Sequence, residues 1–130
     1  MAELLAAAGH WVAPHELAAR IDAIRCSAGT VLIAAEWGPP SGLVALHWHP
    51  SLEADQKSAT ISALLVDRQA RRRGIGRLLV KAAAQAARVA GCGSLTLSVA
   101  GGEEALAAFC ESTGFVSGGT AFSRGLRKKG

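Results

Sequence analysis

The spacing of apolar positions changes several times along the chain, and each change marks an element. From Pro14, which suits the first turn of a helix, Leu17, Ile21, Ile24 and Ala28 recur at helical spacing, and Gly29 is expected to close that helix. A shorter helical piece over residues 2–9 precedes it and ends at Gly9. Thr30 to Trp37 is β-rich, Gly38 to Gly42 reads as a turn, and Leu43 to His49 as a second strand, together an antiparallel hairpin ended by Pro50. After a polar connection a third strand is expected from Ser58 to Val66.

Helical spacing returns with Ile75, Leu78, Leu79, Ala82, Ala86 and Val89 on one face and Arg77, Lys81, Gln85 and Arg88 on another. Gly91 to Gly93 stops this helix, and Ser94 to Val99 gives a strand whose helical crossover makes it a parallel neighbour of the third. A last helix is expected from near Glu103 to Gly114, and Phe115 to Leu126 supplies one or two closing strands. The order predicts an α/β (α+β) fold: a mixed, mostly antiparallel sheet with helices on both faces. No linker or repeat divides residues 1–130, so one domain is expected.

Composition narrows the setting. Half of the residues are hydrophobic but only 5% are aromatic, and there is no tyrosine. The net charge of +4 is local. Arg68, Arg71, Arg72, Arg73, Arg77 and Lys81 form one basic cluster, and Arg124, Arg127, Lys128 and Lys129 another, which reads as a solvated tail. Three cysteines without C-x-x-C spacing argue against a disulfide framework and a structural zinc site. An acid at Glu3, in place of the basic start of a secretory signal, and the lack of a membrane-length apolar run lead to an expected soluble, cytoplasmic protein.

The first basic cluster lies between a strand and a helix, with Gly74 and Gly76 in the turn. Unpaired N–H groups of a helix start, its dipole and nearby arginines together attract an anion, and glycine lets a phosphate approach the backbone. The spacing fits neither a Walker loop nor a dinucleotide fingerprint, which needs a third glycine where Leu79 stands. It does fit Arg/Gln-x-x-Gly-x-Gly/Ala through Arg71, Gly74 and Gly76, and so resembles the pyrophosphate motif of the GNAT superfamily of acetyl-CoA-dependent N-acetyltransferases. The segment from Ala105 through Phe109 and Cys110 to Gly114 and Phe115 resembles that family's closing signature. The element order also agrees, with the family's first strand apparently missing. The edge of the strand at Thr30 to Trp37 is then open to cover by a second copy or by the N-terminal residues.

The resemblance implies attack of a primary amine on the thioester of acetyl-CoA. It assigns the pantetheine arm to the backbone of Leu64, Leu65 and Val66, and the pyrophosphate to Arg71, Arg72, Arg73, Gly74, Ile75, Gly76 and Arg77. Cys110 stands where the family usually has a tyrosine acid; a thiol, which ionises near pH 8.5 in general, could protonate the leaving thiolate, though packing is the competing role. Ser62 falls near the strand position where many members carry a carboxylate, and could hold a water. Glu36, His47, His49 and Glu53 are further candidates for the base, the two histidines sharing one sheet face. No metal is expected, because two histidines lack a third ligand. Two alternatives stay open: a CoA-binding module without catalysis, and a nucleic-acid-binding domain, the latter weakened because the basic stretch has no interleaved aromatics.

Overall fold

The computed structural model describes residues 5–6, 11–35, 40–67, 74–97, 109–110, 112–115 and 124–126. The chain divides into two compact units, Met1–Leu97 and Ser98–Gly130. The first holds helix α1 (Pro14–Cys26), strands β1 (Gly29–Ala34), β2 (Gly42–His49) and β3 (Lys57–Val66), helix α2 (Ile75–Val89) and strand β4 (Cys92–Leu97). The strands form one sheet in the order β1-β2-β3-β4, antiparallel except for the β3–β4 pair, which is parallel. β1 is therefore an edge strand among the described residues.

The register fixes the two faces. Gly42, Val44, Leu46 and Trp48 alternate with Leu43, Ala45, His47 and His49 along β2. The Gly42 face is covered by α2: a Cβ placed on Gly42 would lie 2.9 Å from Leu79 Cδ1 and 3.1 Å from Ile75 Cγ2. The opposite face meets α1 at its β1 edge, where a Cβ on Gly29 would lie 3.2 Å from Ile24 Cγ2. Helices thus stand on both faces. The core is densest under α2, where Val44, Leu46, Ala59, Ile61, Leu79 and Ala83 are buried. Burial of this apolar area drives the packing of α2, since its single stripe is what the sheet can cover.

Several expectations are corrected. Gly29 does not end α1. The helix stops at Cys26, the Ser27 hydroxyl returning to the Ile24 carbonyl at 2.9 Å, and Gly29 already belongs to β1. The buried stripe of α2 is Ile75, Leu79, Val80, Ala83 and Ala87, not the face expected around Leu78, Ala82 and Val89; Leu78 is 59% exposed and Val89 79%. The cause is composition, because alanines surround this helix and leave several near-equivalent apolar stripes. Strand β4 begins at Cys92 rather than Ser94, since Gly91, at φ 90°, completes the turn out of α2 alone.

β1 is shorter than Thr30 to Trp37: it ends at Ala34, whose carbonyl accepts the Ser41 N–H at 2.8 Å and the Ser41 hydroxyl at 3.1 Å. Residues 5 and 6 are helical within the expected short N-terminal piece. In the second unit, residues 109, 110 and 112 are helical and lead into a turn at Gly114, as expected for the end of the last helix. Most of the expected closing strands lies outside the described residues; Arg124 to Leu126 belong to no helix or strand and are exposed.

Candidate functional site

Toward its carboxyl end β3 is paired to β2 as far as Val66, and among the described residues its parallel pairing to β4 runs from Lys57 to Ile61. The backbone direction there follows from two hydrogen bonds. The Asp67 N–H donates to the Ser41 carbonyl at 2.8 Å, and the Trp48 N–H to the Ala28 carbonyl at 2.9 Å. Antiparallel ladders alternate, so the Leu65 backbone groups turn to β2 while those of Leu64 and Val66 point to the opposite side of β3, the side on which β4 lies. Backbone groups on such a side of a strand can accept an extended, amide-bearing chain as an added strand.

Gly74 caps α2 with φ 75° and ψ 17°, a left-handed conformation that glycine adopts without strain. Its carbonyl accepts the first helical bond, from the Leu78 N–H at 3.1 Å, and no side chain caps the helix. The N–H groups of Ile75, Gly76 and Arg77 consequently have no acceptor inside the helix. Ile75 is buried and anchors the turn to the sheet, while the Arg77 side chain is exposed at the start of the helix. No acidic residue occupies this first turn, so the positive end of the helix dipole is uncompensated within the helix. Arg71, Arg72 and Arg73 lie outside the described residues, as do Glu36 and Glu103.

The remaining candidates separate. Pairing jumps from Ala45↔Ala63 to Leu46↔Ile61, so Ser62 is the extra residue of a β-bulge. The bulge puts Ser62 on the same face as His47, and His47 Nε2 lies 2.8 Å from Ser62 Oγ. His49 shares that face but turns away: its Nδ1–H donates to the Pro50 carbonyl at 3.0 Å. Glu53 is exposed in the β2–β3 connection, its N–H donating to Ser51 Oγ at 3.2 Å.

In the second unit Cys110 is buried. Its carbonyl accepts the N–H groups of Thr113 at 3.1 Å and Phe115 at 3.0 Å, with Gly114 at φ 97° between them. The Phe115 bond and the left-handed Gly114 make a Schellman turn in which Cys110 stands at the fourth position before the glycine. Among the described residues no group of three or more His, Cys, Asp or Glu is placed to hold a metal ion, and no helix is long and apolar enough to cross a membrane.

Sequence reasoning singled out Leu64, Val66, Gly74 and Ser62 as candidates and missed the bulge. The apolar run from Ile61 to Val66 carries no mark of it, because an extra strand residue changes pairing without changing composition.

A mixed, mostly antiparallel sheet with a glycine-capped helix after its third strand is an architecture the chain shares with solved acetyltransferase structures. The chain belongs to the acetyltransferase (GNAT) family, whose family model matches residues 1–115. No curated protein matches it. Among solved structures it is similar to a putative acetyltransferase from Agrobacterium tumefaciens, at 29% identity and a TM-score of 0.83, over 98% of this chain and 90% of that one. Glucosamine-6-phosphate N-acetyltransferase from Arabidopsis thaliana shares the fold at 18% identity and a TM-score of 0.81, over 98% and 89% of the two chains. An aminoglycoside acetyltransferase from an uncultured soil metagenomic sample does so at 18% identity and a TM-score of 0.80, over 96% and 85%.

Proposed function

We propose that the chain works as one N-acetyltransferase domain over residues 1–130 and transfers the acetyl group of acetyl-CoA to a primary amine. The observation that carries this reading is the Gly74-capped start of α2, with no acid in its first turn, beside the end of β3 where the backbone of Leu64 and Val66 faces away from β2. The outward backbone of Leu64 and Val66 pairs with the amides of the pantetheine arm, and the N–H groups of Ile75, Gly76 and Arg77 receive the pyrophosphate. Arg71, Arg72 and Arg73 add charge to the same turn in sequence. Cys110 serves packing rather than acid chemistry: it is buried and sits at the turn that ends a helix. No disulfide joins Cys26, Cys92 and Cys110, which suits a cytoplasmic setting.

Titration calorimetry with acetyl-CoA tests the reading. Gly76→Asp puts a carboxylate at the anion site and should weaken binding by about tenfold or more, a loss of roughly 1.4 kcal/mol. Binding by the unaltered protein should also weaken as salt is raised, because phosphate contacts are screened. Unchanged affinity in a folded Gly76→Asp protein would overturn the assignment of the turn. Release of CoA thiol with a panel of primary amines then separates a transferase from a module that only binds CoA.

A further inference from the structure

The amine that attacks a thioester must first be neutral, and at physiological pH a primary alkylamine is an ammonium. Some group near the carboxyl end of β3 has to take that proton. Among the described residues no carboxylate lies on this stretch of strand: β3 runs through Ser62, Ala63, Leu64, Leu65 and Val66, and Asp67 comes only after its end. What the fold brings there is the hydrogen-bonded pair of His47 Nε2 and Ser62 Oγ, 2.8 Å apart.

Three details fit this pair for proton transfer. Ser62 is exposed, and it stands at the bulge of β3. It is two residues, about 7 Å of strand, from Leu64. The imidazole also has a seat: a Cβ on Gly29 would lie 3.3 Å from His47 Nδ1 and 2.7 Å from the Leu46 carbonyl, so the absence of that carbon leaves room for the ring. Ser62 Oγ has a second neighbour, the Ala45 carbonyl at 3.4 Å, a longer contact that leaves the histidine as its main partner. The same face carries Ser58, Thr60, Ser94 and Thr96 across β3 and β4, a hydroxyl-lined approach suited to a hydrophilic amine.

We propose that Ser62 and His47 together accept the proton that the attacking amine sheds. The step rests on the acetyl-transfer reading above. The ammonium gives a proton to Ser62 Oγ as the hydroxyl proton passes to His47 Nε2, leaving a neutral amine and an imidazolium. The amine nitrogen bonds to the acetyl carbon, the carbon–sulfur bond breaks, and the second amine proton goes to the departing sulfur. Products are the acetamide and CoA thiol, and His47 returns its proton to solvent. Ser62 touches the substrate; His47 acts through it.

The test uses the full chain, acetyl-CoA and a panel of primary amines, with CoA thiol release as the readout and calorimetry for acetyl-CoA affinity. Ser62→Ala and His47→Gln should each lower kcat for every amine used by about 10²–10⁴-fold, as expected for loss of a general base, with acetyl-CoA affinity unchanged. Ser62→Thr keeps a hydroxyl and should recover most of the rate. His47→Ala should regain rate on addition of free imidazole, which a merely structural histidine would not do. Ser62→Ala, at an exposed position, guards against loss of folding in the histidine variants. If both Ser62→Ala and His47→Gln turn over amines within a few-fold of the unaltered protein, the pair is not the proton acceptor. If the unaltered protein binds acetyl-CoA but acetylates no amine, the transfer reading itself fails, and the pair falls with it.

Discussion

Gly29 and Gly74 show how one residue type is selected for two different reasons. Gly74 is needed for its backbone: φ is 75°, and a Cβ there would meet nothing within 4 Å. Gly29 is needed for space: its Cβ would press on the Leu46 carbonyl at 2.7 Å, and a carbonyl in a paired strand cannot swing aside. The first reason is legible in sequence, because glycine between a strand and a helix marks a turn. The second is not, because it depends on the strand that pairs with β1. The two respond differently to asparagine, which tolerates the left-handed region. Gly74→Asn should keep nearly all of the thermal stability, whereas Gly29→Asn or Gly29→Ala should lose about 1–3 kcal/mol through overpacking. Thermal denaturation of the purified variants checks this; equal losses at both positions would contradict the distinction.

Among the elements, strands β2 and β3 and helix α2 were legible because their apolar runs are long and bounded by glycine, proline or charge. The rotation of α2 was not. Ala82, Ala83, Ala84, Ala86 and Ala87 are apolar on every side, so the large residues alone decide the apparent stripe, and Leu78 and Val89 point it the wrong way. Neighbouring leucines then differ sharply in what they contribute. Leu79, at 4% exposure, packs on the sheet and Leu79→Ala should cost about 2–5 kcal/mol. Leu78, at 59% exposure, stands outward and Leu78→Ala should change stability by only about 0.5 kcal/mol or less. Denaturant melts of the two proteins give the comparison directly, and similar midpoints would restore the stripe suggested by the sequence.

For the whole molecule, the strand–turn–helix unit that holds the candidate site was readable from the order of apolar, basic and glycine positions. The partnership of His47 with Ser62 was readable only as two separate polar residues, since a bulge in β3 had to bring them together. The parallel pairing of β3 with β4 has a further consequence, for how the chain folds. Ala34 pairs with Gly42 and His49 with Ser58, close along the chain, whereas Ile61 must wait for Leu97, on the far side of α2. Loop closure makes distant pairing slow, so the β1–β2–β3 meander should lead and β4 should dock late. Val44→Ala, in the meander, is then expected to slow refolding, while Leu95→Ala, in β4, should chiefly speed unfolding, a contrast that stopped-flow chevrons would reveal. β4, the last of the four strands to dock, is then also expected to be the first of them to let go, so the earliest opening of this sheet would fall along the strand beside which the ligand is proposed to bind.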